Sequence, residues 1–239
     1  TTTAARSSLT HQCGLILRRS PAYLWARELI TDAKAGAPMA VVFRDDQFIP
    51  IQGHYGSTWR SDVSKAGAGT LLEHSIHDVD MLRFLVGDVR SVSARATYRH
   101  GIEGIEDVVA ASMTFDNGAV GTLTTIWHDN LSRPSLRNVE VFCEKRTVTI
   151  AGDDWFGPVT WSDADGTHGS LHGDDLLEKT LPLAVGDANP DGAFVKACVD
   201  KTPGFPDFSI ALEAHRIVEA MYASARSEGQ SVSVESIVQ

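Results

Sequence analysis

The sequence predicts an α+β fold, an open, mostly antiparallel sheet with helices on one face. Three observations predict it. From Thr70 to Val86 the chain contains neither Pro nor Gly and is bounded by Gly67, Gly69 and Gly87, the punctuation of one helix of about four to five turns. Beyond it the apolar period changes from 3.6 to 2, and two of the alternating runs meet at Asp116-Asn117-Gly118, a strong hairpin signal. A second long helix, opened by Asp207 as N-cap, closes the chain. So few helices cannot cover both faces of such a sheet, and a second copy of the chain is the economical cover for the other.

Taken in order, a Thr/Ser-rich lead enters Leu15 to Leu17, read as a short buried strand ending at Arg18, Arg19 and the breaker Ser20-Pro21. Tyr23 to Ala35 has helical spacing and stops at Gly36. A lone buried strand needs partners, so the sequence reads as though it begins inside a larger protein. Met39 to Phe43 is a second apolar strand, followed by a loop from Arg44 to Pro50. An aromatic and basic cluster, Tyr55 to Arg60, precedes the helix and contains Trp59 and Arg60. Alternating strands follow at Val92–Tyr98, Asp107–Phe115 and Val120–Trp127, then Asn138–Cys143 and Thr147–Ile150 around a turn. Gly152 to Pro190, rich in Asp, Gly, Thr and His, reads as irregular strands and loops, and Gly192 to Val199 as a short helix. On the closing helix Phe208, Ala211, Leu212, His215, Val218 and Tyr222 form the inner face, with His215 a satisfied core histidine.

Composition narrows the function classes. With 239 residues, 43% apolar and 22% charged, the chain can hold one large domain with a substantial core, or one domain plus a fragment. A net charge of −10 and a pI near 5.3 argue against nucleic acid and anionic membrane as partners. No apolar run approaches the roughly 20 residues of a spanning helix, and Thr1 to Leu9 lacks the apolar centre of a secretory signal. Cys13, Cys143 and Cys198 are odd in number, widely spaced and set in core-like surroundings, which suits reduced thiols in a cytoplasmic protein.

The chemistry concentrates on the predicted helix. At about 100° per residue, Glu73, His77 and Asp80 fall within about 60° of one another on an otherwise apolar surface. Histidine passes protons near neutrality; Asp80 would orient its ring, and Glu73 would share the proton or hold a substrate hydroxyl. The bland alternative is a core helix in which His77 only satisfies its neighbours. A metal site using His74 with His77, Asp80 and Glu73 is not expected, because His74 lies about 100° from Glu73 and about 60° from His77.

At this point the residues resemble a known family. Arg18-Arg19-Ser20-Pro21, Trp59-Arg60, the run from Ala66 to Asp80, Leu85-Val86-Gly87 and the tail from Phe205 to Ala225 are similar to the glucose–fructose oxidoreductase/inositol dehydrogenase (GFO/IDH/MocA) family, from about Leu9 to the end. The resemblance implies an N-terminal Rossmann domain binding NAD(P), followed by a dihydrodipicolinate-reductase-like domain with an open sheet that carries substrate groups and dimerises. Residues 1–35 would be the last strand and connecting helix of the first, and 36–239 the second. No G-x-G-x-x-G occurs, since Leu72 stands where Gly67-Ala68-Gly69 would need its third glycine, and the family's Glu-Lys-Pro segment is absent.

By the same resemblance His77 matches the active-site histidine, base or relay for a substrate hydroxyl. Glu73 stands where many members have Asp. Trp59, Arg60, Arg19 and His128 would line the substrate, Arg19 being also a possible cofactor contact. NAD or NADP is implied for the full-length enzyme and none for this chain alone, with a sugar-like substrate, a homodimer or dimer of dimers through the sheet face, and no nucleic acid or membrane. The competing reading is a non-enzymatic sugar-binding or dimerisation module without a cofactor domain.

Overall fold

The structure, a computed structural model, describes residues 2–51, 56–130, 132, 134–184 and 189–237. Tyr55 of the predicted aromatic cluster lies outside them. The elements run α1 (Thr2–Arg6), α2 (Pro21–Thr31), β1 (Pro38–Phe48), α3 (Val63–Ala66), α4 (Thr70–Glu73), α5 (Ile76–Leu85), β2 (Val89–Thr97), β3 (Val108–Phe115) and β4 (Val120–His128). Then follow β5 (Leu136–Cys143), β6 (Arg146–Asp153), β7 (Gly157–Asp163), β8 (His168–Leu171), α6 (Gly173–Thr180), α7 (Pro190–Asp200), α8 (Phe208–Arg226) and β9 (Val232–Ser233).

The nine described strands form one sheet in the order β8-β7-β6-β5-β1-β4-β3-β2-β9. Only β1 and β4 pair in parallel; every other neighbouring pair is antiparallel. The predicted class, an open, mostly antiparallel sheet with helices on one face, is the class observed. Asn117-Gly118 makes the predicted hairpin between β3 and β4, with Gly118 at φ 91°. Helices α2, α5 and α8 pack one sheet face, and Tyr23, Met81, Leu82, Phe43, Phe115 and Leu123 fill the layer between, all buried. On the other face Val42 and Val120 are 45% and 52% exposed, beside Ser112, Thr114 and Thr122.

Several expectations are corrected. Leu15 to Leu17 is not a strand: Leu15 leads into a 3₁₀ turn, Ile16–Arg19, and no described strand runs beside it. Ser20 directs the chain there, because its hydroxyl accepts from Tyr23 N and caps α2, with Pro21 at the first helical position. Helix α2 stops at Thr31, short of Ala35. Strand β1 continues through Arg44-Asp45-Asp46-Gln47, expected as a loop, since these residues keep register with β4 and their side chains find ionic partners. Gly152 to Pro190 holds a strand pair and helix α6, anchored by buried Val159 and Leu176. Helix α8 is capped by Asp207, whose Oδ1 accepts from Ser209 N and Ile210 N. Its buried face is Ala211, Ala214, Ile217, Val218 and Met221; His215 is exposed, with its Nδ1 2.8 Å from the Ala211 carbonyl oxygen. Cys143 is buried, Cys13 half-buried and Cys198 exposed, and all three are free thiols.

The long helix predicted over Thr70 to Val86 is two helices. Between α4 and α5, Ser75 N reaches back to Thr70 O (2.8 Å), one residue further than an α-helical bond, and Ser75, at ψ 6°, leaves helical geometry.

Candidate active site

The break decides what the Glu/His/Asp stripe becomes. Glu73 ends α4 and His77 belongs to the first turn of α5, so the two share no continuous helix face. The beginning of α4 is held by Glu106, whose carboxylate accepts from Gly69 N (2.7 Å), Leu71 N (2.9 Å) and the Tyr222 hydroxyl (2.9 Å). Gly69 is required for this approach: a Cβ there would stand 1.9 Å from Glu106 O. With two of its N–H groups taken by a side chain, this turn does not fit the phosphates of a nicotinamide dinucleotide.

Glu73 receives Arg60 Nε at 2.6 Å, and the Arg60 guanidinium lies over the Trp59 ring at 4.4 Å. Trp59, Arg60 and Glu73, all singled out from sequence, therefore form one string, with Trp59 42% exposed at its outer end. His77 is half-buried and its Nδ1 is buried without a hydrogen-bond partner among the described residues. Burial chiefly holds its imidazolium form down, to an ionisation near pH 4; Arg137 and His74 act the same way and Asp78 opposes them. The ring is neutral near pH 7.

Asp80 does not orient that ring. Fully buried, it receives Arg18 through both Nε and Nη2 at 2.7 Å, and Arg18 also lies over Phe84. Burial raises the Asp80 carboxyl and Arg18 lowers it. Arg19 is buried and gives Nη2 to the Phe205 carbonyl (2.9 Å), beside α7 rather than beside His77. His128 is on the opposite face of the sheet. Thr125 bonds to Thr70 and Ser75 on the helix side, so strand alternation turns His128 outward, where its Nε2 is 3.3 Å from Asp46 Oδ1.

Sequence reasoning missed the polar unit beneath His77. Arg137 meets Asp78, Asp154 and His74, and His74 meets Asp45. The Asp78 carboxyl is pushed up to about 6, first by burial and further by Asp45, against the pull of Arg137. A guanidinium 2.9 Å from His74 Nε2 stands where a cation bound to that nitrogen would have to sit. Among the described residues no group of three His, Cys, Asp or Glu side chains is arranged to hold a metal ion, and no helix is long and apolar enough to cross a membrane. The signal in the sequence was Arg44-Asp45-Asp46-Gln47, four polar residues continuing an apolar strand.

A family model described as the GFO/IDH/MocA C-terminal domain matches residues 23–149, more than half of the chain. The 1,5-anhydro-D-fructose reductase of Ensifer adhaerens is 30% identical over 108 residues, 44% of this chain and 31% of that protein. The levoglucosan dehydrogenase of Pseudarthrobacter phenanthrenivorans is 28% identical over 142 residues, 48% of this chain and 36% of that one. The chain thus matches about a third of the length of these relatives. Among solved structures, levoglucosan dehydrogenase in complex with NADH and L-sorbose superposes with a TM-score of 0.80 at 21% identity, covering 99% of this chain and 69% of that one. An oxidoreductase domain protein from Kribbella flavida gives a TM-score of 0.79 at 24% identity, covering 98% and 68%. These structural likenesses establish a common fold.

Proposed function

Because the chain belongs to the GFO/IDH/MocA family, we propose that it is the substrate-binding, acid/base and dimerisation part of a longer NAD(P)-dependent oxidoreductase acting on a sugar, polyol or related secondary alcohol. The observation that carries the reading is the unpartnered, buried Nδ1 of His77 on a neutral ring, close in sequence to the Arg60–Glu73 pair. A relative that reduces 1,5-anhydro-D-fructose and a like-folded protein that binds NADH with L-sorbose support the substrate class.

In this reading the carbohydrate lies against Trp59, whose exposed ring suits the apolar face of a pyranose, while Arg60 and Glu73 hold hydroxyls. His77 takes the proton of the reacting hydroxyl during oxidation and returns it during reduction. Asp80 contributes through Arg18, by anchoring α5. The dinucleotide is held by a part of the longer protein that corresponds to the remaining length of the structural neighbours. Three free thiols and the absence of a spanning helix among the described residues fit a cytoplasmic enzyme.

The test is nicotinamide absorbance of the full-length protein with NADH and 1,5-anhydro-D-fructose, and with NAD and levoglucosan. Turnover of either is expected. Tight sugar binding without any turnover would instead favour the competing reading, a sugar-binding module.

A further inference from the structure

The polar groups below His77 act as one unit on the break between α4 and α5. Arg137 Nε donates to Asp78 Oδ1 (2.7 Å), its Nη1 to Asp154, and its Nη2 to His74 Nε2 (2.9 Å). His74 Nε2 is also 2.8 Å from Asp45 Oδ2, and Ser75 Oγ bonds to Thr125 Oγ1 at 2.5 Å. Asp154 in turn receives the Tyr23 hydroxyl from α2. One guanidinium therefore holds the residue three before His77 and the residue one after it.

Hydrogen-bond capacity shows how tightly this unit is determined. Arg137 can only donate, and His74 Nε2 stands between its Nη2 and the Asp45 carboxylate, a donor on one side and an acceptor on the other. Asp45 faces the same nitrogen and lies 3.4 Å from Arg137 Nη2; burial raises its carboxyl, but His74 and Arg137 outweigh burial and hold it below the ordinary carboxylate range. The second oxygen of Asp78 is buried without a donor and faces Asp45. Three carboxylates thus surround one guanidinium, two on its fork and one shared with His74, so a shift of any one group costs the others their contacts.

We propose that Arg137 is the positioning residue for His77: by gripping His74 and Asp78 it sets the break that separates His77 from the Arg60–Glu73 pair, and so fixes where the imidazole stands. The proposal rests on the reading of His77 as the acid/base group. A helix continuous through His74 is the alternative the local sequence favours, and contacts from β1, β4 and β5 act against it. The positive charge of Arg137 also opposes a proton on His77, while Asp78 favours one. Removing Arg137 alone therefore moves the ring and makes it more basic.

The experiment uses the full-length protein with ring-labelled histidine, the His77 signal being assigned by its loss in His77→Ala. In Arg137→Met the His77 signal is expected to shift at neutral pH, and its proton affinity to rise tenfold or more. Turnover of 1,5-anhydro-D-fructose with NADH should fall by about 10², the usual effect of an ångström-scale misplacement, with KM nearly unchanged. Arg137→Lys keeps the charge and loses the fork; it should shift the signal at neutral pH, restore most of the proton affinity and recover part of the turnover. If Arg137→Met does not fold, Arg137→Lys decides alone. A folded variant whose His77 signal and proton affinity match the wild type would overturn the proposal, whatever its melting temperature. Full turnover in His77→Ala would overturn the catalytic reading instead, leaving the spectroscopic result to judge the positioning.

Discussion

The two faces of the sheet are made by the same strands and are built on opposite principles. Strand β1 shows it in adjacent residues. Asp45 turns toward the helices and enters a unit with His74 and Arg137, whereas Asp46 turns outward to Arg44 and His128. Inside, charges sit in a low-polarity layer between Tyr23, Phe43 and Leu123, where each must be paired and a misplaced one is costly. Outside, Val42, Val120, Thr122 and Ser112 form a small-residue surface that tolerates water but gains by being covered. The inner face has the means to place a chemical group accurately, and the outer one the means to meet a like surface.

The sharpest way to break the comparison is at His77. In the full-length protein, if it has the proposed activity, His77→Ala should lower turnover by roughly 10² to 10⁴, the usual worth of a positioned acid/base group. His128→Ala, on the outer face, should change turnover by less than about threefold if alternation assigns it correctly. Steady-state kinetics on both variants checks this. A destabilised but fully active His77→Ala enzyme would return the inner face to a purely structural role.

A smaller effect tests the outer face. The chain is expected to dimerise through it and to sediment well above 25.8 kDa. Val120→Asp would bury an unpaired charge at that contact and should weaken the dimer by roughly 10²-fold or more. Sedimentation equilibrium of the two proteins measures the difference. A wild-type chain that stays monomeric at micromolar concentration would end the idea that this face needs a partner.

The smallest effect separates two inner groups by pH. His77 ionises near 4 when folded, against about 6.5 unfolded, so the unfolded chain takes the proton first and stability is lost as pH falls through that interval. Asp78, pushed up to about 6, is the reverse: the folded chain takes its proton first, and stability is gained as pH falls from there toward the ordinary carboxylate range. The wild type should feel the two nearly cancel. His77→Gln removes only the loss, so its Tm relative to wild type should climb on acidification from about pH 7 to about pH 4.5, by on the order of 2 kcal/mol or roughly 5 °C. Calorimetry at both pH values reads it, and a constant gap would contradict the neutral buried ring.

Much of the fold was legible because its signals are local. The glycines at 67, 69 and 87 bound the helical region, Asn117-Gly118 turns a hairpin, and Asp207 caps α8, each through conformations available to a few residues. The parity that turns His128 outward was also there to read, since Thr125 and Trp127 occupy the other face. The apolar face of α8 lies about one position from the predicted one, because small residues, Ala211, Ala214 and Ala220, mark it only weakly.

By itself the sequence determined the class of fold, the strand pairing around the hairpin, and the string of Trp59, Arg60 and Glu73. Those depend on spacing and on turn chemistry, which are written within a few residues of where they act. The tertiary structure alone decided that the central helix breaks at His74, that Asp80 belongs to Arg18, and that Arg137 stands beneath His77. The reason is physical. A charge buried far from water takes whatever opposite charge the fold brings within reach. Asp45, Asp80 and Arg137 find theirs on strands and turns distant in the chain, where no local period records the meeting.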